Sequence, residues 1–474
     1  MPASKPIKRA CDQCHSVKEK CRRLSTETSC ERCDRLGHKC RTTRNAAKTG
    51  RKPQVLREVT YTVPSKTRFV TAHGEISDKD HLKISFLSYN SRLAINSALL
   101  SDLDDWERHF LNLMRNITAP SPLAKFLVGT SFHESHHSSF LQNFMQPSQA
   151  ILRNASVACA AALVGDQYDE YAQNGLEVGH RRAALAVSSL RSLKINTQQD
   201  LVTALVLGVA LLTFAMHVEN GQPFLISHFT LSLIKTQHPD LLGLDPSLMD
   251  FLMCLVTAET FDCLLRSHVP TLRVNDRESF VDRYLGLSSS MLSYFYDIAE
   301  VSNLLGDGAM AENPELLRRL NEIKLAVEQW QPLQPGDFLQ RFTHIEVATM
   351  MAQAKILRFT ALLIIHRLNY PFGQQNGEAL RLSQAIATEF ETVIRLTNHS
   401  IPCTSLAYLA ACFEIMDREA RAIAMERSTQ IITFSKQTQI RFKATVTSVW
   451  EARDTGIPFY WFELSKYVPN TEAK

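Results

Sequence analysis

Six cysteines near the amino end are the residues whose type and spacing point to chemistry. Cys11, Cys14, Cys21, Cys30, Cys33 and Cys40 follow C-x2-C-x6-C-x8-C-x2-C-x6-C, one half-motif used twice with an offset of nineteen residues. The halves match elsewhere too: Asp12 answers Glu31, Val17 answers Leu36 and Lys20 answers Lys39. Deprotonated cysteine is a strong zinc ligand, and structural zinc takes four ligands in a tetrahedron. Two such ions need eight thiolate positions, so six sulfurs serve both only if two of them bridge. Fingers with paired histidines and RING-type sites fit this spacing less well, the first for want of histidines and the second for want of ligands. A strip of about thirty residues cannot bury a conventional core, so the metal must supply its folding free energy, on the order of 10–16 kcal/mol in finger peptides.

Each half reads as a loop with two thiolates, followed by a short helix that presents the third. The charge around them is concentrated. Residues 1 to 57 hold 16 Lys and Arg against 5 Asp and Glu, a balance of +11, whereas residues 58 to 474 hold 36 against 43, a balance of −7. Six thiolates on two divalent ions carry a formal −2, which still leaves the amino end near +9 and suited to a polyanion. The other five cysteines, Cys159, Cys254, Cys263, Cys403 and Cys412, fall in apolar segments where a thiol acts as a small hydrophobe.

The segment Arg9 to Arg41 resembles the fungal binuclear zinc-cluster (Zn2Cys6) transcription factors. That resemblance implies two Zn2+ per chain, with Cys11 and Cys30 bridging, Cys14 and Cys21 completing one site, and Cys33 and Cys40 the other. It also implies that Lys18, three residues before the third cysteine, reads a CGG-like triplet in the major groove, where guanine presents two acceptors to an ammonium. The second half has Gly37 where the first has Lys18, so only the first helix offers a cation to the bases; Gly37 is expected to end its helix in a left-handed cap. Two features differ from the family pattern. His15 and Val17 stand where it is usually basic, and the loop Leu24 to Ser29 lacks the usual proline. Lys20, Arg22, Arg23, Arg32, Arg35 and Arg41 are expected to hold phosphates, a task tolerant of position.

Beyond Cys40, Arg44, Lys48, Arg51 and Lys52 continue the basic run with no acidic residue between them. This arm reads as a phosphate-binding and nuclear-import patch, with Arg51 and Lys52 also placed to enter a narrow minor groove. No apolar heptads run from Val55 to His81, so a parallel zipper is not expected, although a homodimer by another route stays open. The resulting organisation is a zinc-cluster domain over 1–41, a basic arm and linker over 42–78, and a large region over 79–474.

That region is expected to be all-α. Asn313 as cap and Pro314 at the first helical position open a stripe of Leu316, Leu320, Ile323, Val327 and Trp330. Ser101 to Met114 places Leu103, Trp106, Phe110 and Leu113 on one face, a packed amphipathic helix rather than an acidic activation motif. Ala155 to Val164, Leu201 to Met216 and Ile356 to Ile365 are apolar nearly all round, as in buried helices, and the 16 residues of Leu201 to Met216 fall short of a membrane span of about 20. The region resembles the fungal-specific regulatory domain in the run Gly179-His180-Arg181-Arg182 and in an aliphatic helix leading to His366-Arg367 and Pro371-Phe372. A regulatory role follows from that resemblance, often with bound metabolites or coactivators.

One pattern favours a different function. His133, Glu134 and His137 satisfy H-E-x-x-H, in which two histidines one helical turn apart bind zinc and the glutamate activates water. It lies between Gly129 and a Ser-Ser pair, with no third ligand at family spacing, and reads better as an inter-helix segment than as a metalloprotease site. A helical scaffold with a protein-binding zinc module is the other alternative. The leading expectation is a nuclear, sequence-specific DNA-binding regulator of transcription that is not an enzyme. Its partners would be double-stranded DNA and the transcription machinery or a coactivator, with no membrane, and a natural-product gene cluster is the expected setting.

Overall fold

The computed structural model describes residues 10–17, 20–21, 28–43, 103–115, 122–133, 135, 150–237, 246–274, 281–306 and 314–469. The chain divides into two compact units, Met1–Asp78 and Lys79–Lys474.

In the first unit, two five-residue helices, α1 (Asp12–Ser16) and α2 (Glu31–Arg35), are too short to persist alone and depend on their ends. Cys11 and Cys30 cap them with extended backbone, and each sulfur accepts the N–H three residues on. Asp12 and Glu31 add a carboxylate to each first turn, where the helix dipole favours it. Gly37 takes φ +65°, the Gly37 N–H donates to Asp34 O and the His38 N–H to Cys33 O. These are the paired bonds of a Schellman cap, and the expected left-handed glycine is present.

The second unit is built from helices. In chain order they are α3 (Asp105–Arg115), α4 (Ala150–Gln167), α5 (Ala172–Ser192), α6 (Gln198–His217), α7 (Pro223–Gln237), α8 (Pro246–Arg266), α9 (Met291–Gly306), α10 (Pro314–Gln329) and α11 (Phe338–Arg341). They continue with α12 (His344–Asn369), α13 (Asn376–Thr397), α14 (Ser405–Phe413), α15 (Arg418–Ile431) and α16 (Lys436–Asp454). Among the described residues there is no strand, only an isolated bridge between Asp282 and Gly286. Proline opens α7, α8 and α10, and capping boxes start α6 (Thr197 with Asp200) and α12 (Thr343 with Glu346).

Packing follows the distribution of apolar residues. Helix α4 lies on α5 and α6, α7 on α6 and α8, α12 on α13, and the 3-10 turn Trp461–Lys466 returns to α8 and α9. A large apolar core results, with a second, smaller cluster around Phe132, Tyr284, Phe338 and Met350. The stripe of α10 is buried as its spacing requires, with Trp330 just past the helix end. The helix containing Leu201 to Met216 is longer than its apolar run, because Thr197 caps it four residues upstream. At 20 residues, α6 has the length and composition of a membrane span, as does α12, yet 83% and 67% of their most apolar windows are buried inside the protein.

Helix α3 departs from the expected face. Leu103, Phe110, Leu111 and Met114 are buried, whereas Trp106 is 42% exposed and stacks at 5.8 Å on Phe110. Glu107 occupies the inward position instead. Its side chain is 1% exposed, and its carboxylate accepts from Arg181 at 2.8 Å and from both the Nε and a terminal nitrogen of Arg182. A charge faces inward there because two guanidiniums from α5 meet it.

Candidate metal centre

The six sulfurs converge in the first unit. Cys11, Cys14, Cys21 and Cys30 place their Sγ atoms within 4.8 Å of one another, and so do Cys11, Cys30, Cys33 and Cys40. Cys11 and Cys30 belong to both groups. The Cys11 sulfur is 3.8 Å from that of Cys30 and 3.6 Å from that of Cys33, and Cys14 is 3.6 Å from Cys30. A tetrahedron with Zn–S bonds of about 2.3 Å has edges of roughly 3.8 Å, so these separations suit a shared metal shell and are far longer than a disulfide. The cluster is able to bind zinc.

Backbone donors reproduce the internal repeat. The Cys11 and Cys30 N–H groups donate to Cys21 and Cys40 sulfur, each at 3.3 Å, and the Cys14 and Cys33 N–H groups donate to Cys11 and Cys30 sulfur, each at 3.4 Å. These bonds divide the thiols. Burial raises Cys30, but the Cys33 N–H and the S–H groups of Cys33, Cys14 and Cys21 outweigh it and bring the thiol to about 6. Burial also raises Cys11, which its N–H and S–H donors nonetheless hold below its usual value. Cys14 is pushed up to about 12 and Cys33 further, by burial and by donating to Cys11 and Cys30. The two sulfurs common to both groups are therefore the most readily ionised. A Zn2+ ion supplies the charge that lets the others follow.

Asp12 adds a tie that the cysteine spacing does not disclose. Its carboxylate accepts from the Thr43 N–H and hydroxyl, both at 2.7 Å, and its own N–H donates to Arg41 O at 2.8 Å. The chain leaving Cys40 is thereby anchored to α1. Lys20 and Arg41 are exposed. Lys18, Arg22, Arg23, Arg44, Arg51 and Lys52 lie outside the described residues, as do Glu134 and His137 of the H-E-x-x-H pattern. His133 is described, and among the described residues only the two cysteine groups bring together enough ligand atoms to hold a metal.

The family model for a fungal specific transcription factor domain matches residues 113–468, three quarters of the chain. The chain belongs to this family. No curated protein and no solved structure matches it. The fungal-specific transcription factor domain is thus the helical unit, and the two runs that carried the resemblance prove to be internal braces. Arg181 and Arg182 hold Glu107, and Arg182 also reaches Asn154 Oδ1 at 2.8 Å, joining α3, α4 and α5. Arg367, fully buried, binds Glu414 through two parallel bonds of 2.7 Å and donates to Pro371 O, Gln374 O and Asn376 Oδ1. All five guanidinium donors are satisfied, and Phe372 lies 5.0 Å beneath. Nothing near Arg367 in sequence reveals Glu414, which sits 47 residues away. The domain is one of transcription factors.

Proposed function

We propose that this protein is a sequence-specific DNA-binding regulator of transcription with no catalytic activity, in which Zn2+ ions held by Cys11, Cys14, Cys21, Cys30, Cys33 and Cys40 fold a cationic reading head. Two ions per chain are expected, with Cys11 and Cys30 bridging. The observation that carries the reading is that six sulfurs fall into two four-membered groups sharing Cys11 and Cys30, on a chain whose helical unit belongs to a transcription-factor family. Lys18 specifies a CGG-like triplet, Lys20, Arg22, Arg23, Arg41 and Arg44 neutralise phosphates, and Arg51 and Lys52 do so along the arm. The helical domain regulates, through a coactivator, a second copy of the chain or a metabolite. The pathway served is a natural-product gene cluster.

Binding of matched and scrambled duplexes tests the division of labour. Lys18→Ala should lose about 1–3 kcal/mol of discrimination for the triplet, whereas Arg51→Ala should weaken both duplexes alike. Equal losses on the two duplexes for Lys18→Ala would remove the base-reading role.

A further inference from the structure

Helices α5 and α7 both pack on α6, and a cleft of about 710 Å3 lies between them, within the range of small-molecule sites. Its floor is apolar, formed by Leu211, Phe214 and Ala215 of α6 with Ala183 and Leu190 of α5. Phe214 can approach because α5 has Gly179 beside it; a Cβ there would come within 2.9 Å of the ring. Leu225 and Phe229 of α7 stand on the rim, 41% and 40% exposed. The ionisable residues lining the cleft are His180, Arg191 and His228, and no carboxylate lines it.

His228 is held in place from behind. Its Nδ1 lies 2.7 Å from Oε1 of Glu259, a carboxylate with no exposed surface that also accepts from the Thr271 N–H at 2.9 Å and from the Thr271 hydroxyl. The ring stacks on Phe224 at 5.4 Å. Glu259 thus holds the ring through Nδ1, leaving Nε2 as the atom available to a ligand. His180 meets Phe214 edge-on at 5.3 Å, and Arg191 follows it on α5 at a distance of roughly 16 Å along the helix. The second large cleft, about 580 Å3 between α13 and α15, has no such handle, because its Glu414, Arg427 and Arg453 are engaged with Arg367, Glu391 and Phe413 O.

We propose that the cleft between α5 and α7 binds a small amphipathic organic anion, an aromatic or aliphatic body on the apolar floor with its acidic head met by Arg191 and His228. Describing that ligand as an effector rests on the regulator reading; its binding does not, and is measured without DNA.

Two fluorescent probes sharing one aromatic skeleton test it on the full chain: anionic 1-anilinonaphthalene-8-sulfonate and neutral N-phenyl-1-naphthylamine. One saturable site should take the anion roughly tenfold more tightly than the neutral probe, and Arg191→Gln or His228→Gln should each weaken the anion about tenfold while leaving the neutral probe within about twofold. Ala184→Trp, at an exposed lining position of α5, should abolish both. Hydrogen exchange of the unaltered chain gives a second measurement, with slowing by the anion expected over 180–191 and 222–232. Equal affinity for the two probes, binding indifferent to Ala184→Trp in a folded variant, or slowing confined to other segments would overturn the proposal. Loss of DNA binding with probe binding intact would count against the regulator reading alone.

Discussion

At the residue scale, the shared sulfurs differ in consequence from the unshared ones. Replacing Cys11 removes a ligand from both four-sulfur groups, whereas replacing Cys40 leaves Cys11, Cys14, Cys21 and Cys30 complete. Cys11→Ser is therefore expected to purify with less than one zinc and Cys40→Ser with about one, by atomic absorption; equal content in the two variants would refute bridging. In the helical domain, Glu107 gives a pH signature. Burial works to raise it, but Arg182, the Asp104 N–H and Arg181 prevail and hold it at about 2, against an ordinary value of 4.5. A depressed folded-state value means stabilisation fully present above 4.5 and lost as pH falls from there toward 2. Glu107→Gln should cost about 2 kcal/mol at pH 7 in denaturant unfolding, with the gap to the unaltered protein closing below pH 4. A gap undiminished at pH 2 would show that packing, not charge, is what the substitution removes.

At the scale of elements, much of the architecture is legible in the chain. The mirrored cysteine spacing discloses two short helices but misplaces them: each begins at the first cysteine of its half and carries the second, while Cys21 and Cys40, expected on the helices, lie outside them. The stripe from Leu316 to Trp330 contains α10 with its start at Pro314. What is not legible depends on partners remote in sequence. Trp106 reads as inward, yet Glu107 takes that place because Arg181 and Arg182 arrive from α5, and nothing about Asp12 in the sequence discloses that Thr43 reaches it. Glu346 is a third case. It completes the box that begins α12, and its carboxylate also accepts from the Ser131 N–H at 2.6 Å and the Ser131 hydroxyl at 2.8 Å, pinning the 3-10 turn Thr130–Phe132. Gly129 permits this closeness, since a Cβ there would lie 2.3 Å from Glu346. Gly129→Ala must displace a buried carboxylate and should cost about 2 kcal/mol, while Gly336→Ala, with nothing within 4 Å of its Cβ, should change stability by less than about 0.5 kcal/mol. Matching unfolding midpoints for the two variants would disprove the dependence of α12 on that approach.

At the scale of the molecule, the two units draw stability from different sources, and metal removal should separate them. The helical domain rests on a large apolar core and a smaller second cluster, with braces such as Arg367 and Glu414, none of which involves zinc. Among the described residues, the cysteine unit gathers only six sulfurs at its centre, and burial together with hydrogen bonding to Cys11 and Cys30 pushes the thiols of Cys14, Cys21, Cys33 and Cys40 up. A chelator should therefore abolish DNA affinity while leaving the thermal midpoint of the helical domain within about 1 °C and the far-ultraviolet helical signal nearly unchanged, because α1 and α2 are only five residues each. Returning Zn2+ should restore DNA binding, with the logarithm of affinity falling against log salt at roughly 0.9 per phosphate neutralised. A helical midpoint that dropped with the metal would mean that zinc also stabilises the regulatory domain. Salt-independent affinity in the zinc-loaded protein would mean instead that the basic residues from Lys5 to Arg57 do not meet a polyanion, leaving the cluster as a docking module for another protein.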